Sequence, residues 1–297
     1  MSNRAVVFFV VAFAGAAVLW AQPAKRAQPA KPAQPAQAAA SQTPVAKQPQ
    51  AKSKDEAEAL MAIFNAPDPD TRIKAADALL TKYADTEFQA VALQIAAASC
   101  QQKNDFENMV IYCERTLEVD PQNFSAMLML ASGTAQRTRE FDLDREEKLA
   151  RAEKYARTAQ EILKTALKPN PNLTDEQWES ARKDFMAQSH EALGLAALVR
   201  KKYDVAIAEF KTATEVASSP DPATMVRLGA VYNLAGQYDE AVALLDKLMA
   251  QTDVHPQIKQ FAQAERVRAI QLKSAAAKPA AAPPAASAPP QVEIKTP

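Results

Sequence analysis

Along "RLGAVYNLAGQYDEAVALLDKLM", Arg227 to Met249, the apolar residues fall on two helical stripes. Leu228, Gly229 and Tyr232 are spaced one, three and four apart, so they share one face of a helix. Gly236 supplies a turn. A second helix then carries Ala241, Leu245 and Leu248 on one face. Gly229 and Ala241 are small, so the two helices can approach closely. One such hairpin cannot bury its apolar face alone and needs a copy beside it.

Copies stand upstream. "HEALGLAALVRKKYDVAIAEFKTA" sets Leu193, Gly194, Ala197, Tyr203, Ala206, Phe210 and Ala213 at the same spacings, and Gly194 and Gly229 are 35 residues apart. "LQIAAASCQQKNDFENMVIYCERTLEVDPQN" puts Ala96, Ala97, Cys100, Phe106, Met109, Cys113 and Thr116 in those slots. "FSAMLMLASGTAQ" supplies Leu130, Ala131 and Thr134. Its second helix arrives late, with Ala152, Ala156 and Ala159 after an insertion around "TREFDLDREE". A degenerate pair spans "DEAEALMAIFNAPDPDTRIKAADALLTKYADTEF". Thr174 and Gln177 form a capping box that opens a helix from Asp175 to about Lys201. "VHPQIKQFAQAERVRAIQL", with Pro256 near a helix start, reads as a terminal cap.

These residues resemble the tetratricopeptide repeat family: a period near 34, Leu-Gly with an aromatic three on, a Tyr before the second helix, then Ala, an aromatic or Leu, and Ala. The resemblance spans 55–255. It implies an all-α fold, a right-handed α-solenoid of about five stacked helix hairpins with a C-terminal capping helix across 55–273. It also implies a concave face, lined by the first helices, that holds an extended peptide or a partner helix. By spacing that face includes Gln94, Ala98 and Gln101; Leu128, Ser132 and Ala135; Glu191, Leu195 and Leu198; and Val226, Ala230 and Asn233. Members of the family that clamp a terminal carboxylate carry Lys, Arg and Asn there. Apart from Asn233 these are missing, so that activity does not carry over. Lining a groove and packing internally are the two readings of the stripe. Leu195 follows Gly194 and is expected to face the concave side.

Charge changes the picture by region. Residues 1–54 carry seven Lys/Arg and no acid, whereas 55–272 hold 25 basic against 34 acidic residues, a net of −9. An acidic body disfavours nucleic acid, whose phosphates need a basic face. The five glycines form no phosphate-cradling loop. The two histidines, His190 and His255, have no metal-type neighbours at short spacing. No nucleophile–base pair or paired carboxylates suggest hydrolysis. The expectation is a non-enzymatic interaction scaffold without cofactor, or an accessory repeat subunit docking onto an envelope enzyme or an assembly or secretion machine. His190 reads as a core histidine, and Trp178 as cover for a groove between repeats. The charged run 137–157 reads as a solvated helix, with a partner-binding surface as the alternative.

The start reads as an address. Arg4 precedes sixteen uncharged residues, Ala5 to Trp20, and small residues follow. A span needs about 20 apolar residues, so residues 1–21 read as a signal peptide cut near Ala21, with an uncleaved anchor as the alternative. Export to the periplasm or exterior of a bacterium follows, with no membrane-spanning segment left after cleavage. Residues 22–54 are Pro/Ala/Gln/Lys-rich and 274–297 Ala/Pro-rich. Neither can bury enough apolar surface to offset chain entropy, so both read as unfolded. Their basic charge could touch anionic envelope polymers weakly. Cys100 and Cys113 sit on antiparallel helices about three residues out of register, which favours two buried thiols over a disulfide.

Overall fold

The computed structural model describes residues 44–277. Among them are the helices α1 (Lys54–Phe64), α2 (Pro69–Lys82), α3 (Gln89–Gln102), α4 (Phe106–Val119), α5 (Phe124–Arg137), α6 (Arg145–Thr165), α7 (Asp175–Val199), α8 (Tyr203–Val216), α9 (Pro222–Leu234), α10 (Tyr238–Ala250) and α11 (Pro256–Ala276). The described residues hold no strand, only a parallel bridge between Val45 and Lys168. The all-α, hairpin-built architecture is therefore the observed one. The expected signal peptide, residues 1–21, the linker up to residue 43 and the tail from residue 278 lie outside the described residues, and α11 runs to Ala276, so the first residues of the tail expected to be unfolded from 274 are helical. The chain divides into two compact units, one ending at Thr224 and the other beginning at Met225.

In the first unit four hairpins pack in order, α1 on α2, α3 on α4, α5 on α6 and α7 on α8. Side chains at the N-caps fix where many helices start, because they accept from backbone N–H groups that have no partner within the helix. Ser53, Asp68, Asp105 and Asn123 do so for α1, α2, α4 and α5. The anticipated capping box opens α7: the Gln177 N–H donates to Thr174 Oγ1, and the Thr174 N–H to Gln177 Oε1. Turns need a left-handed residue, and Asn104 and Lys201 supply it with φ of 58°.

Each cluster of buried residues spans consecutive helices. Leu60, Ile63, Ala76, Leu79 and Phe88 close the first. Ala97, Cys100, Met109, Cys113, Ala126 and Leu130 close the next. Both cysteines are free, and burial pushes their thiols up to about 11 and about 12, so they act as small apolar residues. The late helix α6 buries Ala152, Ala156 and Ala159 as its spacing requires. Polar ties join one hairpin to the next at about the repeat distance. Lys103 pairs with Asp70, and Arg137 donates to the Asn104 carbonyl at 3.1 Å; just past the fourth hairpin, the Ser218 N–H donates back to Asp184 of α7 at 2.8 Å.

In the second unit α10 and α11 pack together, and Met225, Leu245, Leu248, Val254 and Ala262 form the core. A Cβ on Gly229 would lie 2.8 Å from Leu245 Cδ2, so this is the close approach that requires glycine. The first unit repeats it thirty-five residues earlier, where a Cβ on Gly194 would meet the Phe210 ring at 3.0 Å. Gly236, with φ of 76°, makes the α9–α10 turn. α11 is less polar than a cap ordinarily is, since Phe261, Val267 and Ile270 are exposed along it.

Residues 44–53 depart from the expectation of an unfolded linker. They form an extended strap hydrogen-bonded to two loops of the first unit. Composition misses this because the strap is held by backbone and polar contacts, not by apolar burial.

Candidate partner-binding surfaces

The stripe expected on the first helices divides in two. On α3, Gln94 and Ala98 are half-buried and Gln101 is exposed; on α5, Ser132 is half-buried; on α7, Glu191 and Leu198 are half-buried. Leu128, at 2% exposure, and Ala135 face inward. Leu128 packs with Met127, Ala159 and Phe185. Leu195 is also inside, at 8% exposure, which corrects the expectation that its side chain is open on the concave side. The reason is that α7 packs against α5, α6 and α8 together, so little of its circumference stays open. Gln94 Oε1 accepts from Asn123 Nδ2 at 3.3 Å, which ties α3 to the cap of α5. What remains accessible is a surface of small, amide and mixed residues.

In the second unit Val226 and Ala230 are half-buried. Asn233 is 3% exposed, so it is not a surface clamp. Its Nδ2 donates to the Glu265 carbonyl at 2.9 Å and to Glu265 Oε2 at 3.0 Å, fastening α9 to α11.

The insertion between α5 and α6 presents a second surface. Phe141 is 88% exposed and Leu143 fully exposed, at 107%. The loop beneath them is pinned. The Asp142 N–H donates to the Arg139 carbonyl at 3.3 Å, Arg145 Nη1 to the Glu140 carbonyl at 2.9 Å, and Lys201 Nζ to Glu140 Oε1 at 2.5 Å. Arg200 donates to Glu146 at 2.8 Å and Glu153 at 2.7 Å. Two large apolar side chains thus stand in solvent on a braced loop. The sequence carried their signal, since Phe141 and Leu143 interrupt a run of charges, but the helical reading of 137–157 hid it.

The strap is the third surface. The Ala46 N–H donates to the Lys168 carbonyl at 2.9 Å, and the Lys168 N–H to the Pro44 carbonyl at 3.1 Å. Gln48 Nε2 donates to the Pro169 carbonyl at 2.9 Å. The Gln50 N–H donates to Glu87 Oε2 at 3.1 Å, and Lys52 Nζ to both the carbonyl and the carboxylate of Asp85 at 2.6 Å. The buried carboxylate of Glu56 closes this end. It accepts from Thr86 Oγ1 at 2.5 Å and from the Lys52 N–H at 2.6 Å, which hold it below the usual carboxylate range.

His190 is not in an apolar core. Its Nδ1 lies 2.7 Å from Glu209 Oε2 and its Nε2 3.3 Å from Gln160 Nε2, so it joins α7 to α8 and α6. Trp178 covers a groove, as expected, with its ring 6.5 Å from Phe124. A cleft of about 140 Å³ lies among Asp184, Gln188, Glu191, Ala213 and Asp221. No helix among the described residues is long and apolar enough to cross a membrane, and none of their His, Cys, Asp and Glu side chains group as a metal site would.

No family model matches the chain, and no curated protein is similar to it. Solved structures are similar to it. A thermophilic TPR protein from Thermus thermophilus shares 16% identity with a TM-score of 0.51, covering 71% of this chain and 99% of that one. A tetratricopeptide repeat protein from Parabacteroides merdae shares 13% identity, covering 75% of this chain and 93% of that one, with a TM-score of 0.38. The MamA protein shares 16%, covering 66% and 99%, with a TM-score of 0.40. The likeness to the Thermus protein, together with the recurring hairpins, shows that this chain has a tetratricopeptide-repeat-like, all-α solenoid fold.

Proposed function

We propose that the protein is a non-enzymatic scaffold of the bacterial cell envelope that holds a partner peptide or helix on the first helices of its hairpins. The observation that carries this reading is the surface left open there: Gln94, Ala98 and Gln101 on α3, Ser132 on α5, and Glu191 and Leu198 on α7. Small and amide side chains let a partner backbone come close, and Leu198 offers an apolar foothold. A tetratricopeptide-repeat-like fold supports the same reading, because stacked hairpins present such faces over several repeats. Export rests on residues 1–21.

A second reading is favoured by Phe141 and Leu143. Braced, solvent-facing apolar side chains are the kind that fill a partner's pocket and dominate its affinity. In that case the chain is an accessory subunit docked through its insertion loop.

Affinity capture from envelope extract separates the two. The double variant Ala98→Arg/Leu198→Arg places two charges on the first-helix face, and Phe141→Ser/Leu143→Ser removes the loop anchors. Loss of the captured partner with the first variant alone supports the scaffold face. Loss with the second alone transfers the function to the loop. Equal capture by both variants and wild type contradicts both readings.

A further inference from the structure

We infer that the path followed by residues 44–52 is a peptide-binding slot, filled here by the chain's own N-terminal arm, which takes an extended, proline-containing peptide bearing glutamine and, four residues later, lysine. The slot is built from two loops of the first unit. Lys168 offers both its N–H and its carbonyl to the incoming backbone, as a strand edge does. The Pro169 carbonyl takes the amide of Gln48. At the other end Glu87 takes the Gln50 N–H, and Asp85 takes the ammonium of Lys52. These contacts lie on loops separated by some eighty residues of sequence, and the extended strap reaches both.

One end of the slot is held by contacts that do not involve its occupant. The Lys168 side chain is buried and donates to Asp175 Oδ1 at 2.9 Å, which anchors that residue at the start of α7. Asn170 is buried, and its Oδ1 accepts from the Asn172 N–H at 2.8 Å, fixing the turn that follows. Asp85 and Glu87 give the far end negative charge that suits a basic ligand.

The occupant, by contrast, is held lightly. Ala46 and Gln48 turn inward while Val45 and Lys47 stay exposed, and Val45 is the one large apolar residue of the strap. The ion pair between Lys52 and Asp85 is solvent-exposed. A handful of hydrogen bonds therefore opposes the entropy of about nine ordered residues, a balance that allows exchange. The arm also carries further copies of the docked dipeptide. Gln48-Pro49 is preceded by Gln22-Pro23, Gln28-Pro29 and Gln34-Pro35. Gln28-Pro29 and Gln34-Pro35 have no basic residue four positions after the glutamine, and Gln22 opens the chain once residues 1–21 are removed, leaving no backbone ahead of it to pair with Lys168, so Gln48-Pro49 is the best ligand of the four.

The test uses the full chain. The triple variant Ala46→Pro/Gln48→Ala/Lys52→Ala removes three of the strap's donors and leaves the Gln50 N–H and the Ser53 cap of α1 in place. A fluorescein-labelled peptide of residues 43–53 is titrated against wild type and variant and followed by anisotropy. The peptide is expected to bind the variant saturably, and the wild type at least about tenfold more weakly, because the tethered arm competes. A control peptide with the same three substitutions should bind neither. Absence of peptide binding to a folded variant overturns the proposal, and so does equal binding of both peptides. A melting temperature more than about 5 °C below wild type also overturns it, since the strap is then a structural staple rather than an exchangeable ligand.

Discussion

At the scale of the residue, Gly229 and Leu195 show what spacing can and cannot reveal. The slot of Gly229 was legible, because a small residue thirty-five after Gly194 in the same setting marks a close approach. The structure adds that the facing atoms are those of Leu245, which would lie 2.8 to 3.0 Å from a Cβ at this position. Leu245 is itself fully buried and cannot retreat freely. Gly229→Leu should therefore cost about 3 kcal/mol or more by overpacking, and a thermal melt unchanged from wild type would contradict the packing. Leu195 was not legible. Periodicity gives the angle of a side chain around its own helix, not which neighbours cover that angle. With only 8% of Leu195 exposed, Leu195→Glu puts a carboxylate inside the fold. It should lower the melting temperature by roughly 6–12 °C, corresponding to about 3 kcal/mol in a body of this size. A change within about 1 °C would restore Leu195 to the surface.

At the scale of the element, helices with strong periodicity and marked caps could be read directly. The α7 capping box at Thr174 and Gln177 and the late arrival of α6 are examples. The strap could not be read, because a bridge between Val45 and Lys168 leaves no periodic trace in either segment. Its junction with α1 has a pH dependence. Hydrogen bonds from Thr86 and then Lys52 depress the carboxyl of Glu56. A depressed acid stabilises the fold above its unfolded value, about 4.3, and that contribution disappears as pH falls through the folded value. Glu56→Gln should thus melt below wild type at pH 7, and the gap should be smaller at pH 3. A gap of the same size at both pH values would show that the Glu56 charge is not what matters.

At the scale of the whole molecule, the recurring hairpins identify the fold, and the same regularity says little about partners. Faces that hold a ligand and faces that pack look alike until neighbours are placed, as Leu128 and Leu198 illustrate from one expected stripe. Export is a further expectation at this scale. Produced with its own start, the protein should lose about 2 kDa as the signal peptide is removed, and a full-length cytoplasmic product at steady state would reject that. The claim that a partner lies on the first helices is tested most directly by site-specific photo-crosslinking in cells, with benzoylphenylalanine placed singly at Ala98, Leu198, Phe141 and Leu143. A partner held on the first helices gives a discrete adduct from positions 98 and 198 and none from 141 or 143. Adducts from 141 and 143 with none from 98 and 198 would contradict it.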